Sequence, residues 1–296
     1  MNGILCMNKP KDFTSFDVIA KLRGIIRIKR LGHAGTLDPM AEGVLPVFVG
    51  KATKACDILP VNDKSYTAGF KFGIETDTQD ITGNVTAEYN KKISANELEN
   101  ILPLFTGTIM QTPPMYSAVS VNGERLYKLA RKGITVDVPK REAVVSELKI
   151  LSFDEASQCG TLHIKCGKGT YVRTIIHDIG RELSCGGTMT SLVRTSSNGF
   201  SVSDCYNFDD VSRLCSENRL EDIILPVDSI FSSLPSVNLN ERQTSMYKNG
   251  VKLSCKKLNG VHSDERYRVY GCDKEFIGIA EADTAEDTFK VFKNFF

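Results

Sequence analysis

The sequence has no apolar run of about 18 residues, the length that a membrane-spanning helix requires. It also has no basic segment ahead of the short apolar stretch in Met1–Lys9, so we expect no signal peptide. The nine cysteines are scattered and no two form a C-x-x-C pair, a pattern that favours reduced thiols over disulfides or zinc ligands. These absences together predict a cytoplasmic protein.

The net charge is close to zero, but the charges are segregated along the chain. Residues 1–31 hold seven lysines and arginines against two aspartates, a net charge of +5. Residues 164–194 carry a net +3, with five basic and two acidic side chains, whereas residues 201–230 carry −5, with two basic and seven acidic. Each run alone is typical of a solvated surface, yet together they favour a face that binds a polyanion and a neutralising back.

A length of 296 residues allows one large domain, or a large and a small one. Thr14–Arg30 has the apolar spacing of an amphipathic helix, which Thr14 and Asp17 can cap. The segment 234–236 is a plausible linker to short strands near the C-terminus. Apolar periodicity and capping signals predict helices at 14–30, 52–59, 94–104, 125–132 and 172–183, and strands at 44–49, 66–72, 144–153, 161–166, 267–270, 276–280 and 289–292.

The most informative segment is Gly32–Pro46, which places Asp38 on a turn rich in glycine and proline. An isolated Asp-Pro pair usually only forms a turn, because Asp bonds to its own backbone and Pro fixes the next φ. Here, glycines at 32 and 35 let the backbone approach a ligand closely, and His33 adds a hydrogen-bonding ring beside them. The segment therefore favours a functional carboxylate.

This segment closely resembles the catalytic motif of the TruB family of tRNA pseudouridine synthases, in which the aspartate is the catalytic residue. Four further segments resemble that family, so the resemblance extends over nearly the whole chain. They are Asn8-Lys9-Pro10 with Thr14-Ser15, Lys64-Ser65-Tyr66 with Gly73 and Thr76-Asp77-Thr78, Lys168 to Thr174, and Leu192-Val193-Arg194-Thr195 with Gly199-Phe200.

The resemblance implies an α+β fold with a mixed, largely antiparallel sheet flanked by helices. It also implies a catalytic domain over residues 1–234 and a small β-rich, PUA-like RNA-binding domain over residues 235–296. The expected reaction converts the uridine at position 55, in the T-arm loop of tRNA, to pseudouridine after the nucleotide is flipped out. Because this isomerisation is redox-neutral, we expect no cofactor and no metal, and no obligate protein partner is evident.

The resemblance assigns catalytic roles to three residues. Asp38 is the carboxylate that acts on the sugar side of the glycosidic bond, and the sequence leaves open whether it attacks the sugar. Arg173 is its counter-ion. Tyr66 stacks on the target base and is a candidate proton carrier.

The remaining site residues are expected to bind substrate or to shape the pocket. Tyr171 and Leu192 line it, and Lys9 supports the turn more than it touches the base. His33 fills the place in the RNA that the extruded nucleotide leaves. The candidate phosphate contacts are Lys21, Arg27, Lys29, Arg30, Arg125, Lys128 and Arg131.

Two other functions were weighed against this one. A phosphate-binding loop is excluded, because six residues separate Gly43 from Gly50 where that motif has four, and Ala52 follows Lys51. A non-catalytic protein that binds or folds tRNA on the same scaffold remains the alternative. The presence of Asp38, Tyr66 and Arg173 argues against it.

Overall fold

The computed structural model describes residues 1–121 and 123–296. The helices are α1 Ser15–Ile26, α2 Ala95–Ile101, α3 Leu126–Arg131, α4 Val172–Glu182, α5 Phe208–Ser216 and α6 Glu241–Lys248. The strands are β1 Gly3–Lys9, β2 Leu31–His33, β3 Glu42–Val49, β4 Lys64–Phe72, β5 Ile74–Thr76, β6 Val85–Glu88, β7 Gly107–Gln111, β8 Ser120–Val121, β9 Glu124–Arg125, β10 Arg141–Asp154, β11 Cys159–Cys166, β12 Gly187–Ser197, β13 Phe200–Ser201, β14 Ser236–Asn238, β15 Arg266–Tyr270, β16 Phe276–Asp283 and β17 Thr288–Asn294.

A nine-stranded mixed sheet forms the body of the molecule. Seven strands run in the order β1-β3-β12-β4-β11-β10-β7, while β2 pairs with β3 and β13 pairs with β12. Of these pairs only β3 with β12 is parallel, and the others are antiparallel. The α+β class with a largely antiparallel sheet, as expected from the resemblance, is therefore confirmed.

Alternate residues of each strand point to opposite sides of the sheet, and apolar side chains on both sides are buried in a core. On β1, Leu5 and Met7 belong to the core shared with α1 and α5, whereas Ile4 and Cys6 belong to a different core on the other face. Further along the sheet, α4 contributes Ile175, Ile176 and Ile179 to the core that also contains Phe70 and Phe72 of β4.

The acidic segment lies beside the basic helix. Helix α5, which carries Asp209 and Asp210 of that segment, shares a core with α1, and Nζ of Lys21 lies 4.2 Å from the ring centroid of Phe208 on α5. The two charge runs are thus direct neighbours, and α5 does not form a back on the far side from α1. The acidic segment is far from the basic helix in sequence but lies next to it in the fold.

The C-terminal strands β14–β17 form their own four-stranded sheet, so the predicted small β-rich unit is present. It shares a core with the larger sheet, in which Ile279 and Phe295 pack together with Ala34 and Phe48. An ion pair between Lys293 and Asp57, at 2.7 Å, adds to this contact. The domain boundary at residue 234 stays a prediction.

Several predicted elements differ in extent. Helix α1 ends at Ile26 and not at Arg30, because Arg27 adopts a left-handed conformation with φ +55° and donates its backbone N–H to Arg23. The helix predicted at 52–59 is a short 3₁₀ helix, Gly50–Ala55. All nine cysteines are free thiols, and no helix of the described residues is long and apolar enough to span a membrane.

Candidate active site

The turn that carries Asp38, residues 34–41, connects β2 to β3 and is called here the Asp38 turn. Its backbone is fixed by bonds to β3 and to α1. Ala34 N donates to Pro46 O at 3.1 Å, and Leu37 N donates to the side-chain oxygen of Ser15, on the first turn of α1, at 2.9 Å. The carboxylate is therefore presented from a rigid loop.

Lys9, at the end of β1, supports this turn from beneath. Its side chain is fully buried, and Nζ donates to the carbonyl oxygens of Pro10 at 2.9 Å, Pro39 at 3.2 Å and Ala41 at 2.5 Å. Burial lowers the pKa of Lys9 to about 8, an effect that Glu42 and Asp38 partly oppose. With its three hydrogens engaged by main-chain oxygens, Lys9 is placed to hold the turn and not to face a ligand.

Arg173, on the first turn of α4, forms an ion pair with Asp38. Its Nε lies 2.9 Å from Oδ2 of Asp38, and the side-chain exposures are 6% for the arginine and 36% for the aspartate. Nη1 of Arg173 donates to Thr78 O at 2.9 Å and Nη2 donates to Tyr116 O at 3.0 Å. The cation is thus held by two loops while the carboxylate is open to a ligand.

Asp80 is a second acidic neighbour of Arg173, and no role is predicted for it above. Its Oδ2 lies 3.7 Å from Nη1 of Arg173, and its side chain is 7% exposed. Oδ1 accepts hydrogen bonds from the backbone N–H and the hydroxyl of Thr82 and from the hydroxyl of Thr78. Arg173 is therefore a cation between two carboxylates, of which one is buried and one is accessible.

Tyr66 and Leu192 are buried beside the Asp38 turn. Both belong to the core cluster that contains Leu37 and Met40 of the Asp38 turn, and they are 7% and 6% exposed. Burial raises the pKa of Tyr66 to about 12, and the charge of Arg194 opposes part of that rise. Tyr66 is thus a neutral phenol at neutral pH.

Tyr171 immediately precedes α4 and lies half-buried. Its backbone N–H donates to Oε1 of Gln111 at 3.0 Å, and its carbonyl accepts from Nε2 of the same side chain at 3.2 Å. These two bonds tie the start of α4, and with it Arg173, to β7. The pocket-lining role of Tyr171 stays a prediction.

His33 is the last residue of β2 and leads directly into the Asp38 turn. Burial and the charge of Arg194 lower the pKa of His33, so its imidazole is neutral at pH 7. Its Nδ1 has no hydrogen-bond partner among the residues that the structure describes. The basic pair Lys29 and Arg30 is exposed just before β2, and Nε of Arg30 donates to Thr53 Oγ1 at 2.8 Å.

Arg194 on β12 is the other residue that the sequence left without a role. It is fully buried, its Nε donates to Val44 O at 2.7 Å, and its Nη2 donates to Gly35 O at 3.0 Å. It therefore anchors the Asp38 turn from the side of the sheet.

The arrangement combines an accessible carboxylate, a buried cation that orients it and a buried phenol nearby. These groups can stabilise positive charge on a sugar carbon, or attack it, and can move a proton. Across residues 1–121 and 123–296, no group of three His, Cys, Asp or Glu side chains is placed to hold a metal ion.

Solved structures of low sequence identity share the fold. A chain of a Cbf5-Nop10-Gar1 complex aligns with a TM-score of 0.75 at 22% identity, covering 99% of this chain and 85% of that one. A chain from an H/ACA RNP bound to a substrate RNA containing 2'-deoxyuridine aligns with a TM-score of 0.73 at 21% identity, with the same coverage. At such identities the likeness shows the fold alone.

Sequence comparisons are more specific. The N-terminal domain model of the TruB family pseudouridylate synthases matches residues 23–172. A C-terminal domain model of tRNA pseudouridylate synthase B matches residues 173–232, and a C-terminal model of pseudouridine synthase II TruB matches residues 235–287.

Relatives of full length agree with these models. A protein of Clostridium tetani named tRNA pseudouridine synthase B is 39% identical over 295 residues, which cover 99% of both chains. One of the same name from Francisella tularensis subsp. novicida is 40% identical over 286 residues, which cover 96% of this chain and 92% of the relative. The chain belongs to the TruB family of pseudouridylate synthases.

Proposed function

We propose that this enzyme converts the uridine at position 55, in the T-arm loop of tRNA, to pseudouridine, with Asp38 as the essential catalytic group. The names of the full-length relatives support tRNA as the substrate. The observation that carries the role of Asp38 is its ion pair with Arg173, in which the carboxylate is the accessible partner.

The chemistry requires a carboxylate of this kind. Pseudouridine forms when the bond from N1 of uracil to C1′ of ribose breaks, the base rotates, and C5 joins C1′. The base leaves an electron-poor sugar carbon, which a carboxylate can stabilise or attack, as in glycosidases. Arg173 holds Asp38 in one orientation, while two main-chain carbonyls fix Arg173 itself.

The other residues are assigned supporting work. Tyr66 stacks on the flipped base and carries a proton, and Leu192 and Tyr171 complete the wall of the pocket. Lys9 fixes the Asp38 turn through its bonds to Pro39 and Ala41. Because β2 leads from the exposed basic pair to His33, the imidazole is positioned to fill the gap in the T-loop while the pair contacts phosphate.

Affinity for the tRNA comes from phosphate contacts and from the C-terminal unit, which we assign to RNA binding away from the target base. Flipping a nucleotide costs a few kcal/mol of stacking and pairing, which such contacts offset. The candidate cations Lys21, Arg27, Lys29, Arg30, Arg125, Lys128 and Arg131 are all exposed. We assign the reaction to the cytoplasm, where tRNA is processed.

The test uses tRNA labelled with tritium at C5 of uracil, since the reaction replaces the C5 hydrogen by a bond to C1′. The wild-type protein is expected to release the label to water, and a tRNA whose T-arm uridine is replaced by cytidine is expected to release none. Asp38→Asn keeps the size of the side chain but removes its charge, so release should fall to background while tRNA binding persists. Asp209→Asn, at an exposed aspartate of α5, is the matched control and should react as the wild type does.

Turnover by Asp38→Asn would overturn the role of Asp38, and release from the cytidine-substituted tRNA would overturn the T-arm assignment. A wild-type protein that binds and refolds tRNA without releasing label would establish the non-catalytic alternative.

A further inference from the structure

Arg194 occupies the junction of the three strands that build the site. It lies on β12, where its backbone pairs with Gly43 of β3 on one side and with Tyr66 of β4 on the other. Residues directly opposite each other on neighbouring strands present their side chains to the same face of the sheet. Arg194 and Tyr66 therefore share one buried face, and both side chains are removed from water.

Part of the Arg194 guanidinium is accounted for by the Asp38 turn. Nε donates to the carbonyl of Val44, on the strand that follows the turn, and Nη2 donates to the carbonyl of Gly35, within the turn. A Cβ added at Gly35, where φ is +75°, would lie 3.4 Å from Nη1 of Arg194 and 3.0 Å from Cε of Lys64. The turn and the guanidinium are therefore packed without a gap.

The remaining nitrogen of the guanidinium has no polar partner in the described part of the chain. Nη1 of Arg194 is buried without a hydrogen-bond partner among residues 1–121 and 123–296, and no described carboxylate forms an ion pair with this arginine. Burial lowers the pKa of Arg194, which reflects the cost of keeping its charge away from water. A buried charge with no counter-ion is destabilising, so its presence calls for another cause.

The phenol of Tyr66 lies across the strand from this guanidinium. The charge of Arg194 lowers the pKa of Tyr66, against the larger effect of burial. The other ionisable groups around this phenol, Asp38 on the turn and Cys166 on β11, raise it. Arg194 is thus the group around Tyr66 that favours a phenolate.

We propose that Arg194 is a positioning residue that stabilises the Tyr66 phenolate while Tyr66 moves one proton from C5 to N1 of the uracil. This inference rests on the proposed function. As the N1–C1′ bond breaks, its electron pair stays on the base, and N1 takes the hydroxyl proton of Tyr66. After C5 has joined C1′, the phenolate takes the C5 proton, and Tyr66 is neutral again. No external base is consumed, and the C5 hydrogen reaches water by exchange from Tyr66.

The first test removes the charge. Arg194→Met is expected to lower the single-turnover rate at saturating tRNA by roughly a hundredfold, the usual effect of losing one preorganised electrostatic donor. Arg194→Lys keeps a charge and should lose less. Arg181→Met, which removes an exposed arginine of α4, is the matched control and should keep the wild-type rate. Thermal melts identify any variant that does not fold.

The second test separates charge stabilisation from simple support of the turn. Replacing Tyr66 by a fluorinated tyrosine lowers the pKa of the phenol without changing the turn. In the Arg194→Met variant, fluorotyrosine at position 66 should raise the single-turnover rate at least tenfold. In the wild type it should change that rate much less. If Arg194→Met does not fold, the same comparison is made in Arg194→Lys.

Loss of rate without recovery by fluorotyrosine would assign Arg194 a structural role only and overturn the inference. A wild-type rate in Arg194→Met would overturn it as well. Failure of the proposed function looks different, because the wild-type protein would then release no tritium at all.

Discussion

Arg173 and Asp38 form an ion pair of 2.9 Å in which the cation is buried and the carboxylate is more than a third exposed. The two side chains differ in burial because two main-chain carbonyls bind the Nη atoms of the buried guanidinium. Its Nε is left directed at Asp38. A ligand can therefore reach the carboxylate without displacing its counter-ion.

Asp80→Asn should slow the reaction without weakening tRNA binding. The change keeps the size of the side chain but removes the charge that lies 3.7 Å from Nη1 of Arg173. The pair is too long for a hydrogen bond, so the change removes its Coulomb attraction, which is about 1–4 kcal/mol at such a distance, and the single-turnover rate at saturating tRNA should fall by roughly tenfold to a hundredfold. Asp77→Asn, in the same loop but exposed, should react like the wild type, and an equal loss in both variants would point to the loop and not to the charge.

Gly43→Ala should destabilise the protein by about 2 kcal/mol or more, because φ at this position is +103° and the new Cβ would lie 2.2 Å from Arg194 O. Gly24→Ala is the matched control. Gly24 lies inside α1, and beyond its chain neighbours and the helix backbone no atom of the described residues lies within 4 Å of its Cβ position, so alanine there should stabilise by about 0.5–1 kcal/mol. Urea unfolding measures both changes, and equal stabilities would show that the sheet adjusts at Gly43.

Replacing Lys29 and Arg30 together by alanine should weaken tRNA binding and reduce its salt dependence. Each lost phosphate contact should lower the slope of log affinity against log salt by somewhat less than one unit. The matched control replaces Arg213 and Arg219 by alanine, since both are ion-paired within the acidic segment. If the two double variants have the same slope, the basic pair lies outside the interface.

The lowered pKa of Lys9 predicts that the free energy of unfolding rises with pH. Its pKa is lowered from 10.5 to about 8 in the folded protein, so between these values the unfolded chain binds more protons than the folded chain. The free energy of unfolding therefore increases from about pH 8 towards pH 10.5. Lys9→Met should lack this contribution, whereas Lys11→Met, at an exposed lysine, should keep it. If the free energy of unfolding of both variants changes with pH in the same way, Lys9 is not the group responsible for the rise.

Sequence reasoning found the elements whose signals are local. The capping box of Thr14 and Asp17 marks the start of α1 correctly, and three of the four strands of the small C-terminal sheet, β15 to β17, lie where they are predicted, whereas β14 begins in the segment predicted as a linker. The end of α1 was missed, because the left-handed conformation of Arg27 has no sequence signal as strong as a glycine would give.

Strand β12 was not predicted, although it lies in the middle of the main sheet. Its sequence, Gly187–Ser197, is rich in serine and threonine, and register shifts after Met189 and Arg194 interrupt its alternation. Its strand character comes from pairing with β3 and β4, which lie far away in sequence. A local pattern does not contain that information.

The same limit applies to the site. Resemblance to a family led to Asp38 and Arg173, and the structure places the two side chains in contact, while their catalytic roles stay predictions. Asp80 was overlooked because it lies in a polar, turn-rich loop, where an aspartate is ordinary. Arg194 was quoted within a motif, but its contacts with Gly35 and Val44 span more than 140 positions of the chain.

The position of β12 also sets an order of events during synthesis. Strands β3 and β4 are neighbours in sequence but are separated in the sheet by β12, which the ribosome makes more than a hundred residues later. Until β12 emerges, β3 and β4 can pair with β1 and β11, but the edges that later pair with β12 keep their backbone N–H and C=O groups unpaired. The catalytic half of the chain thus cannot complete its sheet while it is being made, and a ribosome stalled before residue 187 would hold a nascent chain open to chaperones and proteases.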